Sequence, residues 1–413
     1  MTATITYLLA GFLLYTIAFV KSRDAIHPIG IGVLLWFLAA AVSSFVPFYD
    51  LKLQVPLDYR THVAIFFSGV MFFLPALLSG KLRKQSLSSA GIYFTRDYQI
   101  IFNTILLLTI MAFLLRFGGA ILSPALLSGA GQDLKALVPE ALPLINYADI
   151  FTPFAALICY FELSFSVKIT VRRKVILCLY ILFSIAVALA YKVSRGELLV
   201  FVLGASYIYL IKNDVRVSLR HVVIVILVIS FFFVLGMHRM SENSRVSSQF
   251  GDGILNTILS QVYTYMAMNF QNLNSLVISE SAPTYFWGAA KFFLKSFFQS
   301  SYIDNDMGLK DFSVSFFNAK TYIYYFYNDL GFTGVILYPL LIGCLLQILY
   351  NKSLVRVKYF LFIAFFIKAI VFMFFGNYFF GELVLIFPYL VLMVIMLTMR
   401  SVGLTDKRTI HPV

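Results

Sequence analysis

The sequence has little charge and few cysteines. Only 12% of its 413 residues are charged and 61% are hydrophobic, whereas an ordinary soluble domain has roughly 25% charged and about 45–50% apolar residues. A water-soluble globular protein is therefore excluded. The three cysteines, Cys159, Cys178 and Cys344, all fall inside apolar segments, so packing roles are expected and a disulfide framework is not.

Motifs of several enzyme classes are also missing. The chain contains no CxxC, HExxH, GxxxxGK[ST] or GxSxG pattern. This argues against a zinc metalloprotease, a P-loop ATPase and an α/β-hydrolase. The alternating segments of ~10 residues that build a transmembrane β-barrel are absent as well.

Long apolar stretches are what the sequence does have. A bilayer core of ~30 Å needs about 20 mostly apolar residues per helix, and the pattern predicts an all-α polytopic membrane protein with about eleven transmembrane helices, forming a single membrane domain over 1–413. The predicted segments are Ala3–Val20, Ile29–Val46, His62–Leu78, Ile100–Arg116, Tyr147–Phe165, Val175–Tyr191, Leu198–Ile211, Val222–Gly236, Phe332–Leu349, Tyr359–Phe375 and Leu383–Met399. The first is expected to be a retained helix, because basic residues follow it and none precedes it.

The basic residues indicate the orientation. Every second gap between the segments is rich in Lys and Arg, and these gaps together hold 19 basic and four acidic residues, a balance of +15. Because Lys and Arg favour short cytoplasmic loops, the N-terminus is predicted to be periplasmic and the C-terminus cytoplasmic, in a bacterial inner membrane. Nucleic acid is not an expected partner, since the charge is spread over six short segments beside lipid.

The stretch between the eighth and ninth segments, residues 237–331, is predicted to be one long periplasmic loop. Loops beyond ~15 residues in a compact protein are usually functional or disordered, and the aromatic content here disfavours disorder. Within it, residues 285–298 read either as a helix lying on the membrane surface or as a plain belt of interfacial aromatic residues.

Four basic residues on the predicted periplasmic side lie close to membrane depth: Arg116, Lys192, Arg195 and Arg239. Such charges tend to face a cavity or a partner. Lys192 and Arg195 are three residues apart in a tight connection, where Gly196 is expected to allow the chain reversal. The alternatives are that these side chains reach lipid headgroups, or that Arg195 pairs with Glu197.

Tyrosines, amides and cations together suit a ligand that is sugar at one end and phosphate at the other. Aromatic faces stack on sugar rings, amides bond hydroxyls, and guanidinium groups grip phosphate oxygens. The alternative for the tyrosines is an interface belt. The residues predicted to bind substrate are Lys192, Arg116, Arg239, Arg245, Tyr263, Tyr265, Asn269, Asn272, Asn318 and Tyr322.

Two short motifs give the chain a resemblance to a known family. Ser194-Arg195-Gly196, and Asn318-Ala319-Lys320-Thr321 leading into Asp329-Leu330-Gly331-Phe332-Thr333-Gly334, resemble the oligosaccharide repeat-unit polymerases of the Wzy type, as does the long outer loop. The resemblance implies a GT-C-like membrane glycosyltransferase. Its donor and acceptor would be repeat units on undecaprenyl pyrophosphate, the product O-antigen or a related surface polysaccharide, and a chain-length regulator a candidate partner.

Transfer from a lipid diphosphate requires the charge of the leaving diphosphate to be stabilised, which fixed cations can do. Arg195 is predicted to do this with Lys192 and either Arg239 or Arg245. His238 would serve as the catalytic base, with Glu197, Glu242 and Asp329 as rivals; the alternative for each acid is a helix-capping or helix-pairing role. No metal and no cofactor are expected, because no acidic cluster suited to a metal is evident.

Two other classes stay open. A lipid-linked oligosaccharide flippase or other secondary carrier would place charges at mid-membrane, and Lys368 lies near the middle of its segment. Glu162 also lies within a segment, near the cytoplasmic end, where its carboxylate is expected to reach water. An O-antigen ligase would share the basic outer site but use a lipid A acceptor.

Overall fold

A computed structural model describes residues 2–45, 55–80, 91–121, 143–192, 195–214, 254–279, 283–285, 319–379 and 383–401, and these are mostly helical. The helices are α1 Thr2–Ser22, α2 Pro28–Ser43, α3 Tyr59–Leu78, α4 Arg96–Ile121, α5 Pro143–Ile150, α6 Thr152–Phe165, α7 Val171–Ala186, α8 Arg195–Lys212, α9 Ile254–Ile278, α10 Tyr322–Ser353, α11 Lys358–Val371 and α12 Leu383–Leu397. A π-helix, Val187–Tyr191, continues α7, and two short antiparallel strands, β1 Ile92–Phe94 and β2 Met399–Ser401, pair with each other.

The predicted apolar segments coincide with described helices, except that Val222–Gly236 lies outside the described residues. Within the described ranges, four helical stretches are long and apolar enough to cross a membrane: Thr2–Ser22, Tyr59–Leu78, Arg96–Gly118 and Tyr322–Ser353. This indicates a membrane-embedded helical protein. The small β1–β2 sheet was not predicted.

Two predicted segments are interrupted. Tyr147–Phe165 is divided between α5 and α6, where Pro153 occupies the first turn of α6 and cannot continue the hydrogen bonding of α5. In α10 the backbone leaves helical geometry at Gly331, with φ 59° and ψ −140°. The ninth predicted segment, beginning at Phe332, therefore starts directly after a real break.

The predicted long loop contains a helix that the sequence reading did not anticipate. α9 has 25 residues and no charged side chain. Its Phe270 ring lies 5.1 Å from the ring of Trp36 on α2, and Trp36 donates a hydrogen bond to the Ile65 carbonyl on α3 at 3.0 Å. α9 is therefore packed with α2 and α3, and residues 254–278 of the predicted loop are helical.

The chain divides into two compact units. The first comprises residues 1–84, 216–348 and 369–383; the second comprises residues 85–215, 349–368 and 384–413. Whether the whole chain behaves as a single membrane domain stays a prediction.

In the first unit, α1 and α2 form a close hairpin. A side chain at Gly30 would come within 3.0 Å of Ala18, and one at Gly11 within 3.1 Å of Phe37, so small residues let these helices approach. Between them, the side chain of His27 caps α2 by accepting a hydrogen bond from the Gly30 amide at 3.3 Å.

In the second unit, two polar contacts show that α4 and α6 run antiparallel. Tyr98, near the start of α4, donates to Glu162 near the end of α6 at 2.9 Å. Arg116, near the end of α4, pairs at 2.6 Å with Asp149, just before α6. Tyr98 and Arg116 are 18 residues apart on one helix, or about 27 Å at ~1.5 Å per residue. The two contacts are therefore separated by nearly the thickness of a bilayer core.

The predicted cytoplasmic segments of this unit gather at the Tyr98 end. β1 pairs with β2, Thr95 donates to the Thr398 carbonyl at 2.8 Å, and Lys358 donates to the Met396 carbonyl at 2.8 Å. Lys212 lies 4.9 Å from the Phe165 ring. The segments that the charge pattern assigns to one side of the membrane thus share one end of the unit.

Candidate functional site

Asp149, in α5, is the centre of a buried ionic cluster in the second unit. Its side chain is 2% exposed, and its carboxylate lies 2.6 Å from Nη1 of Arg116 and 2.7 Å from Nζ of Lys192. Both cations were predicted to bind substrate, but Asp149 was not singled out. An acid inside an apolar segment is costly unless paired, and that signal could have identified it.

Lys192 follows the π-helix and is almost fully buried. Its ammonium binds the Asp149 carboxylate, donates to the Asp149 backbone carbonyl at 2.8 Å and pairs with Glu197 at 2.9 Å. Two of these contacts are hydrogen bonds, to the Asp149 carbonyl and to Glu197; the contact with Asp149 Oδ1 is an ion pair, and that oxygen has no hydrogen-bond partner among the described residues. Glu197 therefore pairs with Lys192, and Lys192 holds two carboxylates in place.

Arg116 is more open than its partners, with a side chain that is 29% exposed. Nη1 is engaged by Asp149, while the buried Nε has no hydrogen-bond partner among the described residues. Its guanidinium also lies 5.5 Å from the Phe117 ring. A planar guanidinium with N–H groups to spare suits recognition of an oxyanion.

Lys368, on α11, reaches the same cluster. Its Nζ lies 3.3 Å from the position that a Cβ on Gly196 would occupy. Lys368 is therefore not an isolated charge in the middle of a helix. Gly196 lies in the first turn of α8, so the expectation that it forms the chain reversal is wrong; its lack of a side chain instead leaves room for Lys368.

The described cluster holds three cations, Arg116, Lys192 and Lys368, and two carboxylates, Asp149 and Glu197, a formal balance of +1. It lies at the N-terminus of α8, where backbone amides carry a partial positive charge. An anionic ligand would therefore be stabilised here. Arg195 is the first residue of α8; its side chain, like His238, Arg239, Arg245 and Asn318, lies outside what the structure describes.

Four amide side chains of α9 in the first unit are buried: Asn269, Gln271, Asn272 and Asn274. Gln271 exchanges two hydrogen bonds with the backbone of Val55, at 3.1 and 3.0 Å. Asn274 accepts from the Asp58 amide and the Thr61 hydroxyl, both at 2.8 Å. Asn272 donates to the Ala319 carbonyl at 2.8 Å. These side chains fix neighbouring backbone, and sugar binding by Asn272 stays a prediction.

The other predicted site residues of the first unit are also packed. Tyr263 and Tyr322 are buried, and the ring of Tyr265 lies 4.9 Å from that of Phe375 at a tilt of 31°. Asp329 is buried and accepts a hydrogen bond from the Thr284 hydroxyl at 2.5 Å, while its backbone carbonyl accepts from the Tyr285 amide at 2.9 Å. Asp329 thus ties residues 284–285 to α10, and its catalytic role stays a prediction.

The expectation that Glu162 reaches water is wrong. Its side chain is 2% exposed and is gripped by Arg173 through two hydrogen bonds of 2.8 Å, with Tyr98 donating a third. A buried carboxylate is stable only when paired and hydrogen-bonded. This contact joins α4, α6 and α7 at the end of the unit opposite Asp149.

No protein-family model, no characterised protein and no solved structure matches this chain. Among the described residues there is no group of three or more His, Cys, Asp or Glu side chains that could hold a metal ion. The fold and site thus define a membrane-embedded helical protein with a buried, net-positive ionic cluster.

Proposed function

We propose that the protein is a membrane glycosyltransferase that joins oligosaccharide repeat units carried on undecaprenyl pyrophosphate, at the periplasmic face of a bacterial inner membrane. The observation that carries the proposal is the Asp149 cluster. It is net positive, sheltered from water, and lies at the end of the second unit opposite the predicted cytoplasmic segments.

In the proposed reaction, a hydroxyl of the acceptor repeat attacks the anomeric carbon of the donor. The bond from that carbon to the diphosphate oxygen breaks, the hydroxyl proton passes to a base, and undecaprenyl pyrophosphate leaves. Charge on the departing diphosphate grows in the transition state, so fixed cations at that position lower the barrier.

Within this proposal the cations have different tasks. Arg116 and Arg195 are assigned to the diphosphate, because a guanidinium can bind two phosphate oxygens at once, and Lys368 adds a point charge. Lys192 is a positioning residue, since its ammonium already holds Asp149 and Glu197. Asp149 in turn orients Arg116, and Glu197 is close enough to Lys368 to interact with it electrostatically. We also propose that the protein has eleven transmembrane helices and a GT-C fold.

The test uses purified protein in proteoliposomes with lipid-linked repeat units. Ladders of increasing length support the polymerase, and they should persist in excess EDTA because the proposed clamp contains no metal. Arg116→Gln should abolish the ladders, because it removes a guanidinium that binds the diphosphate. The fold should be retained, since Lys192 still pairs with Asp149. Arg172→Ala, an exposed charge at the other end of the second unit, should leave them intact.

One observation favours a second candidate, a carrier of lipid-linked oligosaccharides: charged side chains inside apolar helices, here the Lys192–Asp149 pair with Lys368 beside it, are also typical of transport proteins. The same vesicles separate the two, since a carrier moves the lipid-linked repeat across the bilayer without lengthening it. Transfer of the glycan to added lipid A core would indicate a ligase.

A further inference from the structure

Residues 319–321 lie against the polar face of α9 in the first unit. Asn272 holds the Ala319 carbonyl at 2.8 Å, and the Tyr322 amide donates to the Met373 carbonyl at 3.0 Å. The segment is therefore fixed at both ends. It also carries one of the two motifs that gave the chain its family resemblance.

Two polar groups here are fully buried and lack partners. The Thr321 hydroxyl and the Asn269 side-chain carbonyl oxygen have no hydrogen-bond partner among the described residues. Asn269 is three residues before Asn272, so both lie on one face of α9. Buried polar groups are nearly always paired in folded proteins, and two exceptions around one short segment point to a bound molecule.

Lys320, between these groups in the chain, adds a cation. It is buried, with its Nζ 4.5 Å from the centre of the Tyr324 ring and 5.6 Å from that of Tyr325. Loss of water around the amine lowers the pKa of Lys320 to about 8. Residues 319–321 thus bring together the ammonium of Lys320, the hydroxyl of Thr321, the amide oxygen of Asn269 and two tyrosine rings.

We infer that Asn269, Lys320 and Thr321 form a binding site for a hydroxyl-bearing sugar ring of the glycan. The orphaned oxygen of Asn269 requires a hydrogen-bond donor, which a sugar hydroxyl supplies and a fully ionised phosphate does not. The hydroxyl of Thr321 donates or accepts as needed, and Lys320 donates to ring or hydroxyl oxygens. The inference rests on the proposed function for the identity of the glycan.

The experiment compares two lipids binding to the full-length protein in nanodiscs: undecaprenyl pyrophosphate carrying the repeat unit, and undecaprenyl pyrophosphate alone. Thr321→Val and Asn269→Leu should each weaken binding of the glycan-bearing lipid by about tenfold or more, because a site built to bind a hydroxyl loses its partner. Binding of the bare lipid should not change. Arg116→Gln should weaken both.

Thermal unfolding of the ligand-free variants guards against a folding artefact. Thr321→Val removes a hydroxyl that has no partner, so its melting temperature should equal or exceed that of the wild type. Ser43→Ala is the matched control, because the Ser43 hydroxyl is also buried and without a partner among the described residues, but on α2. It should leave both affinities unchanged.

Unchanged affinity in Thr321→Val and Asn269→Leu, or equal losses for both lipids, would overturn the sugar site. So would wild-type protein that binds the two lipids equally well. A protein that shows the expected variant pattern but forms no ladders would support the sugar site and overturn the proposed polymerase activity.

Discussion

The ammonium of Lys192 lies 2.7 Å from the carboxylate of Asp149 and 2.8 Å from the backbone carbonyl of the same residue. This double contact joins the end of the π-helix to α5 across 43 positions of sequence. Both side chains are buried, at 6% and 2% exposure, so neither charge can turn to water if the other is removed.

Asp149→Asn should therefore cost about 3–5 kcal/mol of stability, because the buried Lys192 would lose its carboxylate partner and lie beside a second cation, Arg116. Asp149→Asn combined with Lys192→Met should recover part of that loss. The measurement is thermal unfolding in detergent. Asp58→Asn is the control, since the Asp58–Arg60 pair is partly exposed and worth less than ~1 kcal/mol. Equal losses in the two Asn variants would contradict burial of the Asp149 pair.

Arg195 carries the main motif of the family resemblance. Arg195→Ala should abolish ladders and leave single repeats on the carrier lipid or on lipid A core, at normal protein levels. Arg195→Lys should rescue poorly, because a point charge cannot bind two phosphate oxygens in a fork. Full activity in Arg195→Ala would contradict a catalytic role and favour the alternative that Arg195 only contacts lipid headgroups.

His27 should make stability depend on pH. Burial lowers the pKa of His27 to about 4, against a smaller opposing effect of Asp24, whereas the unfolded value is about 6.5. The unfolded chain thus binds the proton more readily between these values, and stability falls as the pH drops from about 6.5 to about 4. Between pH 7 and pH 5 the loss is about 2 kcal/mol.

The check for His27 is the melting temperature of wild type and His27→Asn at pH 7 and pH 5. Asn can cap α2 but does not titrate, so the variant should lose less on acidification. An identical pH dependence in both proteins would assign the effect to other groups.

The break in α10 should require glycine. The backbone at Gly331 lies in a region open almost only to glycine, so Gly331→Ala should cost about 1–3 kcal/mol. Gly334→Ala should also destabilise, because its Cβ would collide with the Phe326 backbone carbonyl. Gly118→Ala is the control: it lies in α4 with no described atom within 4 Å of the added carbon, and should be neutral or stabilising. The measurement is the melting temperature of each variant, which should fall for Gly331→Ala and Gly334→Ala but not for Gly118→Ala.

Topology can be tested with reporter fusions. An alkaline phosphatase fusion after Val413 should be silent and one after Asn274 active, with a green fluorescent protein fusion giving the reverse pattern. The expected reporter activities follow from the excess of Lys and Arg in the segments predicted to be cytoplasmic. An active fusion after Val413 would overturn the orientation and, with it, the periplasmic position of the Asp149 cluster.

The helices were predictable because hydropathy dominates wherever helices meet lipid. The partners of charged and amide side chains were not, since they depend on contacts between distant parts of the chain. Gln271 binds the backbone of Val55, 216 positions away, and no local pattern distinguishes that use from sugar binding. Arg116 and Lys192 were recognised as unusual, but Asp149, which unites them, was passed over inside an apolar segment.

The π-helix Val187–Tyr191 places one more residue in its turn than an α-helix would. Lys192, which directly follows it, is rotated by about 100° relative to a continuous α7. With ordinary winding, Lys192 would be directed away from Asp149. The direction of the Lys192 side chain thus depends on one extra residue in the helix. Deleting one residue from this turn would separate Lys192 from Asp149 without changing any charged residue of the cluster.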